Sequence, residues 1–423
     1  MKFRSRPATV SGTAHAPPSK SYTHRAFLLA ALSGGPCLVS RPLLSEDTEA
    51  TLAGIEAFGA QVHRKGADLR ITSPGLSLPS RAIDARNSGT TLRLLTGTAA
   101  LLKGTTTLTG DASLRKRPMG PLLDALRGLG ADGRSLSEDG RPPVQITGPL
   151  RGGEVSIPGS VSSQFLSSLL LACPLASEAT TLHVRPPILS EPYVDVTRHM
   201  LRAFRAEVEV RGNDVRIPGG QRYAPADFVV PGDFSSAAFP LVAAAISGGD
   251  VTVDGLDASA PQGDRRIADI LGSFGASVTQ RPDSVRVRGA SLRAETVDVS
   301  ATPDLFPILA VLASQARGES RFVNGAQLRL KESDRIETTV AFLRAMGADA
   351  TGTSDGCVVR GPAQLAAAAV ESHGDHRILM AAAVAGLVAR GPVEISDPWC
   401  FRVSYPSFLD DLRALGAEME VVP

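Results

Sequence analysis

The sequence predicts an α/β protein of two similar lobes, each made of three repeated units. Six related stretches, "IEAFGAQV", "LDALRGLGAD", "LRAFRAEVEV", "LGSFGASV", "LRAMGADA" and "LRALGAEM", place Gly59, Gly130, Arg205, Gly275, Gly347 and Gly416 at intervals of 69 to 75 residues. A second series of six apolar stretches interleaves with the first. A Pro- and Gly-rich link over residues 216–233 follows the third unit. One core for all 423 residues would exceed the roughly 250–300 residues at which single cores stop growing, so the six units divide three and three.

Each unit reads the same way along the chain. The interleaved stretches are "SYTHRAFLLAALSGG", "NSGTTLRLLTGTAALLKG", "SSQFLSSLLLACPLASE", "DFSSAAFPLVAAAISGG", "TPDLFPILAVLASQARG" and "GDHRILMAAAVAGLVARG". Each opens with polar residues and continues apolar nearly all round, and a helix without a polar face belongs in a core. A strand, an amphipathic outer helix and a strand or hairpin follow. Glycine ends most of the outer helices, as a left-handed cap requires. The first strand, "KFRSRPATVSG", precedes the first inner helix and can pair with either half.

Bulk properties exclude several function classes. A net charge of +1 gives no global attraction for nucleic acid or an anionic membrane surface. Cys37, Cys173, Cys357 and Cys400 are far apart, with no CxxC, and read as reduced thiols of a cytoplasmic protein. No apolar run reaches the roughly 18–20 residues of a membrane span. The acid-free start has some character of an organelle transit peptide, but it already holds a basic motif and leads straight into an apolar helix.

The polar helix starts carry the chemistry. A helix N-terminus presents unpaired N–H groups and about half a positive charge, worth about 0.3–1 kcal/mol toward an anion when exposed and up to about 2 when partly buried. Ser, Thr, Asp and Asn there are ordinary caps. Capping does not account for the Lys, Arg, Gln and His that accompany them. "PPSKSYTHR" holds Lys20, His24 and Arg25, with no acid before Glu46. Only six of the 44 basic residues are lysine, and Lys20 and Lys331 both lie in polar motifs, where an exchangeable proton distinguishes Lys from Arg. Ser19 stands where a nucleotide-binding P-loop needs glycine, and no GxGxxG is present.

Further along, "GDASLRKRPMGPLLDAL" offers Arg115, Lys116 and Arg117 at a loop-to-helix junction, and spacing alone does not choose among them. "GSVSSQFLSSLLLA" brings Ser162, Ser163 and Gln164 to the start of an apolar helix, a neutral donor set suited to phosphate. "LSEPYVDV" places Ser190 and Tyr193 in a turn. "LRLKESDRIETT" concentrates Lys331, Glu332, Asp334 and Arg335, which could also form a salt-bridged helix start. "HGDHRILM" gathers His373, Asp375, His376 and Arg377, where the adjacent arginine disfavours a metal cation. Asp304 opens the fifth inner helix, as a cap or as a base.

Taken in order, "PPSKSYTHRAFLLA", "NSGTTLRLL", "LRKRPMGPLLDAL", "GSVSSQFLSSLLLA", "LSEPYVDV", "LRLKESDR" and "GDHRILMA" resemble the 5-enolpyruvylshikimate-3-phosphate synthase family over residues 17 to about 410. The resemblance implies the enolpyruvyl transferase fold, with buried parallel helices surrounded by β-sheets and the active site in the interdomain cleft. The first strand would then join the C-terminal lobe. One lobe spans 18–229 and mainly binds shikimate 3-phosphate. The other joins 1–17 to 230–423 for phosphoenolpyruvate binding and catalysis.

The activity implied is transfer of the enolpyruvyl group of phosphoenolpyruvate to the 5-hydroxyl of shikimate 3-phosphate, releasing phosphate. This is a step of chorismate and aromatic amino-acid biosynthesis and the target of glyphosate. Carried over by motif, Lys20, Ser21, Arg25, Ser162, Ser163, Gln164, Ser190, Tyr193, Asp304, Gln327 and Lys331 hold shikimate 3-phosphate. Many relatives have Asn or Glu where Gln327 stands. Lys20, Asn87, Gly89, Thr90, Arg117, Gln164, Arg335, His376 and Arg377 hold phosphoenolpyruvate. Lys20, Asp304 and Glu332 are the catalytic candidates: Asp304 as base toward the hydroxyl, with Glu332 and Lys20 dividing between them, in an order the sequence leaves open, the proton transfers at carbon and at the departing phosphate. No metal or organic cofactor is expected, and the implied form is a cytoplasmic monomer without nucleic-acid or membrane partners.

One position departs from the family pattern. "CFRVSYPSF" has Val403 where relatives usually have a Lys that touches phosphoenolpyruvate. Arg402, one place earlier, either substitutes through a shifted backbone or leaves that substrate more weakly bound. The related UDP-N-acetylglucosamine enolpyruvyl transferase typically has Lys-Asn at the first motif and a reactive Cys near 110–117; here the residues are "KS" and "GDASLRKRP". A non-catalytic anion-binding relative would fit Val403 but not the retention of Lys20, Asp304, Glu332, Arg335 and Arg377.

Overall fold

A computed structural model describes residues 1–137 and 139–423. The chain divides into two compact units: Pro18–Val230, and Met1–Pro17 joined with Pro231–Pro423. Among the described residues there are six four-stranded sheets, one per repeat, five of them wired alike.

In the Pro18–Val230 unit the sheet orders are Phe228–Val229, Cys37–Ser40, Asp68–Thr72, Gln61–Lys65; then Ile83–Asp84, Gly104–Thr109, Val144–Gly148, Asp132–Ser135; then Gly153–Pro158, Thr180–Arg185, Asp214–Ile217, Glu209–Arg211. The first pair in each is parallel and the rest antiparallel. Each parallel edge strand is supplied by the end of another repeat. Ile83–Asp84 leaves the first for the second, Gly153–Pro158 leaves the second for the third, and Phe228–Val229 returns to the first. That exchange closes the three repeats into a ring.

The other unit follows the same scheme, with Ser11–His15 parallel to Asp250–Asp254, Thr296–Asp298 to Gly318–Val323, and Ala368–Val370 to Val393–Ile395. In its last sheet Lys2–Arg6 lies antiparallel between Val393–Ile395 and Glu418–Val422, where the other repeats use their own hairpin strand. Cross-strand ion pairs fix that register: Arg4 bonds Glu394 at 2.6 Å and Arg6 bonds Glu420 at 2.6 Å.

The inner helices are Lys20–Leu32, Gly89–Ala99 and Ser163–Ala172 in one unit, and Phe234–Ser247, Phe306–Ser314 and His376–Gly386 in the other. Every residue of Phe306–Ser314 and of His376–Gly386 is buried. The second and third inner helices approach so closely that a Cβ on Gly97 would lie 2.8 Å from the Ser168 carbonyl oxygen. Among the described residues no helix is long and apolar enough to cross a membrane.

The six outer-helix ends behave as their sequence register predicts. Gly59, Gly130, Gly275, Gly347 and Gly416 have φ between 88° and 100°, and Arg205, the one non-glycine of the series, has φ 57°. Arg205→Gly should relieve about 1–2 kcal/mol of left-handed strain against about 0.4–1 kcal/mol of added chain entropy. A net gain of about 0.5–1 kcal/mol follows, read as a higher urea midpoint at unchanged slope. A lower midpoint would contradict the shared-cap reading.

Candidate active site

Lys20 begins the first inner helix after Ser19, whose side chain makes no cap hydrogen bond. Its ammonium donates to Asp47 Oδ2 at 2.8 Å. Asp47 is buried in the first turn of the Glu46–Ala57 helix, so the first acids after the basic motif supply the counter-charge the local sequence lacks. One turn further, Arg25 is 1% exposed. Its Nε donates to Thr197 Oγ1 at 2.7 Å, Nη1 to the Ser21 carbonyl at 2.8 Å, and Nη2 to Ser167 Oγ and the Tyr193 carbonyl at 3.1 Å. All these partners are neutral. Burial lowers the Arg25 pKa to about 10, so it remains a cation at neutral pH. Burying a charge costs several kcal/mol unless it is compensated, and a bound anion would supply that compensation.

His24 is not part of this positive charge. Its Nδ1 lies 2.7 Å from Thr51 Oγ1, and burial, then Lys20 and Arg25, hold its pKa well below the usual imidazole value. Unfolded His24 takes up a proton near pH 6.5 while the folded one resists. Its contribution to stability is therefore full above about pH 6.5 and lost as pH falls. Half-buried His183 has the opposite sign: hydrogen bonds to Asp214 and Glu154 raise its pKa, so its contribution is full below about pH 6.5 and fades as pH rises through the folded value. Melting curves of His24→Asn should show a shallower loss between pH 7 and 5 than the parent. An unchanged slope would assign that acid sensitivity elsewhere.

The second inner helix starts at Gly89, where an added Cβ would lie 3.0 Å from Arg117 Nη1 and 3.2 Å from Arg93 Nη1. Two guanidinium groups thus reach a bare helix start. Arg117 is buried, whereas Arg115 and Lys116 are exposed. Arg117 Nη2 donates to Asn87 Oδ1 at 2.7 Å, and Asn87 Nδ2 to Asp111 Oδ2 at 2.7 Å. Gln164 joins two helix starts: its Nε2 donates to Thr90 Oγ1 at 2.8 Å and its Oε1 accepts from Arg93 Nη1 at 2.5 Å. Arg93 also lies over the Phe165 ring, 5.3 Å from its centroid.

Arg93 is not among the residues the motifs single out. The available signal was its place four residues after Gly89, since helix side chains lean back over the preceding turn. Ser162 caps the third inner helix through Gln164 N at 3.3 Å, and Ser163 is buried at its start. Ser190 adopts φ 58°, and Tyr193 lies in the first turn of the following helix, Pro192–Ala203.

In the other unit the helix starts are acidic. Asp304 makes no cap; a 3-10 turn, Pro303–Leu305, precedes the fifth inner helix, and the carboxylate faces cations instead. Its Oδ1 accepts from Arg335 Nη1 at 2.8 Å and lies 3.5 Å from Lys331 Nζ. Its Oδ2 accepts from Arg377 Nη2 at 3.1 Å. Arg335, 1% exposed, also donates to Asp375 Oδ2 at 2.9 Å and Glu332 Oε2 at 2.8 Å. The Glu332–Arg335 pair is the salt-bridged helix start expected on the plainer reading, within a larger network.

Burial lowers the Lys331 pKa, opposed by Asp304. Asp375 caps the sixth inner helix through Arg377 N at 2.9 Å. Buried His376 has Nδ1 3.9 Å from Asp375 Oδ1, while His373 is exposed at φ 54°. Gln327 is buried; its Nε2 donates to the Ser300 carbonyl at 3.2 Å and its Oε1 has no partner among the described residues. Arg402 stacks on Trp399 at 4.2 Å in the Cys400–Val403 turn. Burial pushes the Cys173 and Cys357 thiols up to about 12, so neither is a nucleophile at neutral pH.

A buried Arg25 with neutral partners in one unit, and cations shared among carboxylates in the other, suit a protein that handles small anionic molecules. A family model described as EPSP synthase (3-phosphoshikimate 1-carboxyvinyltransferase) matches residues 5–412. The 3-phosphoshikimate 1-carboxyvinyltransferase of Methanocorpusculum labreanum is 50% identical, covering 99% of both chains. That of Methanothrix thermoacetophila is 48% identical, covering 97% of both. The EPSP synthase structure from Acinetobacter baumannii superposes over 100% of both chains with a TM-score of 0.84 at 32% identity. The chain belongs to the EPSP synthase family.

Proposed function

We propose that the chain transfers the enolpyruvyl group of phosphoenolpyruvate to the 5-hydroxyl of shikimate 3-phosphate, within aromatic amino-acid biosynthesis. The observation that carries the reading, beside family membership, is Arg25: a fully buried guanidinium whose four hydrogen-bond partners are all uncharged. It supports an anionic substrate at the first inner helix.

The division of labour follows the charge of the helix starts. Shikimate 3-phosphate takes Lys20, Ser21, Arg25, Ser162, Ser163, Gln164, Ser190, Tyr193, Asp304, Gln327 and Lys331. Phosphoenolpyruvate takes Lys20, Asn87, Gly89, Thr90, Arg117, Gln164, Arg335, His376 and Arg377. The working form is a cytoplasmic monomer in this reading.

Chemically, the 5-hydroxyl oxygen bonds to C2 of phosphoenolpyruvate while its proton passes to Asp304. Glu332 gives a proton to C3, making a methyl group. Glu332 then takes a proton back from that methyl group, the double bond re-forms, and the C2–O bond to phosphate breaks with Lys20 as the acid. In the free protein Arg335, Arg377 and Lys331 hold the Asp304 oxygens. Phosphoenolpyruvate competes for two of these cations, so its binding frees the base it needs.

The test is phosphate release from phosphoenolpyruvate with either acceptor. Release is expected with shikimate 3-phosphate and not with UDP-N-acetylglucosamine. The reverse pattern, or none, overturns the reading.

A further inference from the structure

Asp397 has no part in the chemistry above, yet it holds the loop that opens the sixth inner helix. It stands just past the Val393–Ile395 strand with φ 50°. The same place in the fourth and fifth repeats is also left-handed, at Gly255 (φ 73°) and Asn324 (φ 62°). Aspartate tolerates that backbone as well, so conformation alone does not single out Asp397. What its carboxylate holds does. Asp397 Oδ2 accepts from Ser372 Oγ at 2.7 Å and from Gly374 N at 3.0 Å. Its neighbour Ser396 adds a second grip: Oγ accepts from Ser372 N at 2.9 Å and donates to Glu371 Oε1 at 2.5 Å.

The gripped segment is a tight turn. His373 and Gly374 have φ 54° and 68°, and Asp375 N donates to the Ser372 carbonyl at 2.9 Å. Gly, Asn and Asp dominate two such positions in succession, so His373 does not favour the turn by itself. The bonds from Asp397 and Ser396 hold it instead. Asp375 follows directly and is fully buried. Its Oδ1 accepts from Arg377 N at 2.9 Å, and its Oδ2 accepts from Arg335 Nε at 2.9 Å and Ser333 Oγ at 3.0 Å. Arg335 and Arg377 thus take their places from the carboxylate that this turn delivers.

We propose that Asp397 is a positioning residue for phosphoenolpyruvate: it locks the Ser372–Gly374 turn, the turn sets Asp375, and Asp375 sets Arg335 and Arg377. The inference rests on the preceding assignment of those two arginines to phosphoenolpyruvate. Every link is a hydrogen bond within one unit. Arg25, assigned to shikimate 3-phosphate, belongs to the other unit and makes none of these bonds.

The test compares two variants with the parent. Asp397→Gly keeps the left-handed backbone, as Gly255 does, and removes the anchor. Asp397→Asn tolerates the same backbone and keeps an oxygen for Ser372 and Gly374. A misplacement of about 1 Å can cost up to about 100-fold, and a partial release of the turn should cost less. KM for phosphoenolpyruvate should therefore rise about tenfold in Asp397→Gly and less than about threefold in Asp397→Asn. In both variants kcat and KM for shikimate 3-phosphate should stay within about twofold of the parent, the pattern of lost binding to one substrate. A purely structural residue would move the urea midpoint and leave the KM of the folded protein alone.

An unmoved KM for phosphoenolpyruvate in Asp397→Gly, equal rises in the two variants, or an equal rise for both substrates overturns the proposal. If Asp397→Gly does not fold, Ser372→Ala decides: losing one donor to the anchor should raise KM for phosphoenolpyruvate about threefold, and no rise overturns it. Phosphate release by the parent with an unmoved KM in the variants sinks this proposal only. No release from either acceptor sinks the functional reading as well.

Discussion

Glu332→Gln is expected to keep its affinity for shikimate 3-phosphate while turnover falls by about 10²–10⁴-fold, the range for losing a positioned general acid–base group. The amide matches the carboxylate in shape, and its oxygen can still accept from Arg335 Nη2, now 2.8 Å from Glu332 Oε2. Arg335 also keeps its bonds to Asp375 and Asp304, so the network stands. Only the exchangeable proton is gone. Titration of shikimate 3-phosphate and steady-state phosphate release separate the two effects. Undiminished release would remove Glu332 from the mechanism.

Asp304→Asn is expected to lower kcat by a similar factor of about 10²–10⁴, with KM for phosphoenolpyruvate falling. The two changes have one cause. On the proposed chemistry Asp304 is the base, and in the free protein it is also the anion that pairs with Arg335, Arg377 and Lys331. The amide no longer draws those cations, so the substrate meets less competition even as the hydroxyl loses its base. Glu332 and Asp375 still pair with buried Arg335, and the fold should survive. Retained kcat, or a raised KM, would show that Asp304 does not couple substrate binding to base release.

Much of the architecture was legible because it is periodic. The outer-helix ends recur at a spacing the eye can follow, and the left-handed conformation holds even where Arg205 replaces glycine. Inner helices stood out because residues such as those of Phe306–Ser314 leave no polar face. Partners across sequence distance were not legible. Asp47 reaches Lys20 only because the next helix begins beside the first, and Lys2–Arg6 takes a hairpin strand's place almost four hundred residues from its neighbours. A residue that caps its helix and one that gathers cations also look alike in sequence. Ser162 and Asp375 do cap their helices, while Asp304, in the same kind of position, gathers three cations instead. Arg117 differs from Arg115 and Lys116 only in which way the loop turns it.

A proton that enters carbon and leaves again is the step on which the proposed chemistry depends most. Running the reaction of phosphoenolpyruvate with shikimate 3-phosphate in deuterated water and reading the vinyl methylene of the product by NMR tests this directly. Addition followed by elimination predicts solvent deuterium at that methylene. A product formed at full rate with a methylene free of deuterium would contradict it, because no methyl group would then have existed.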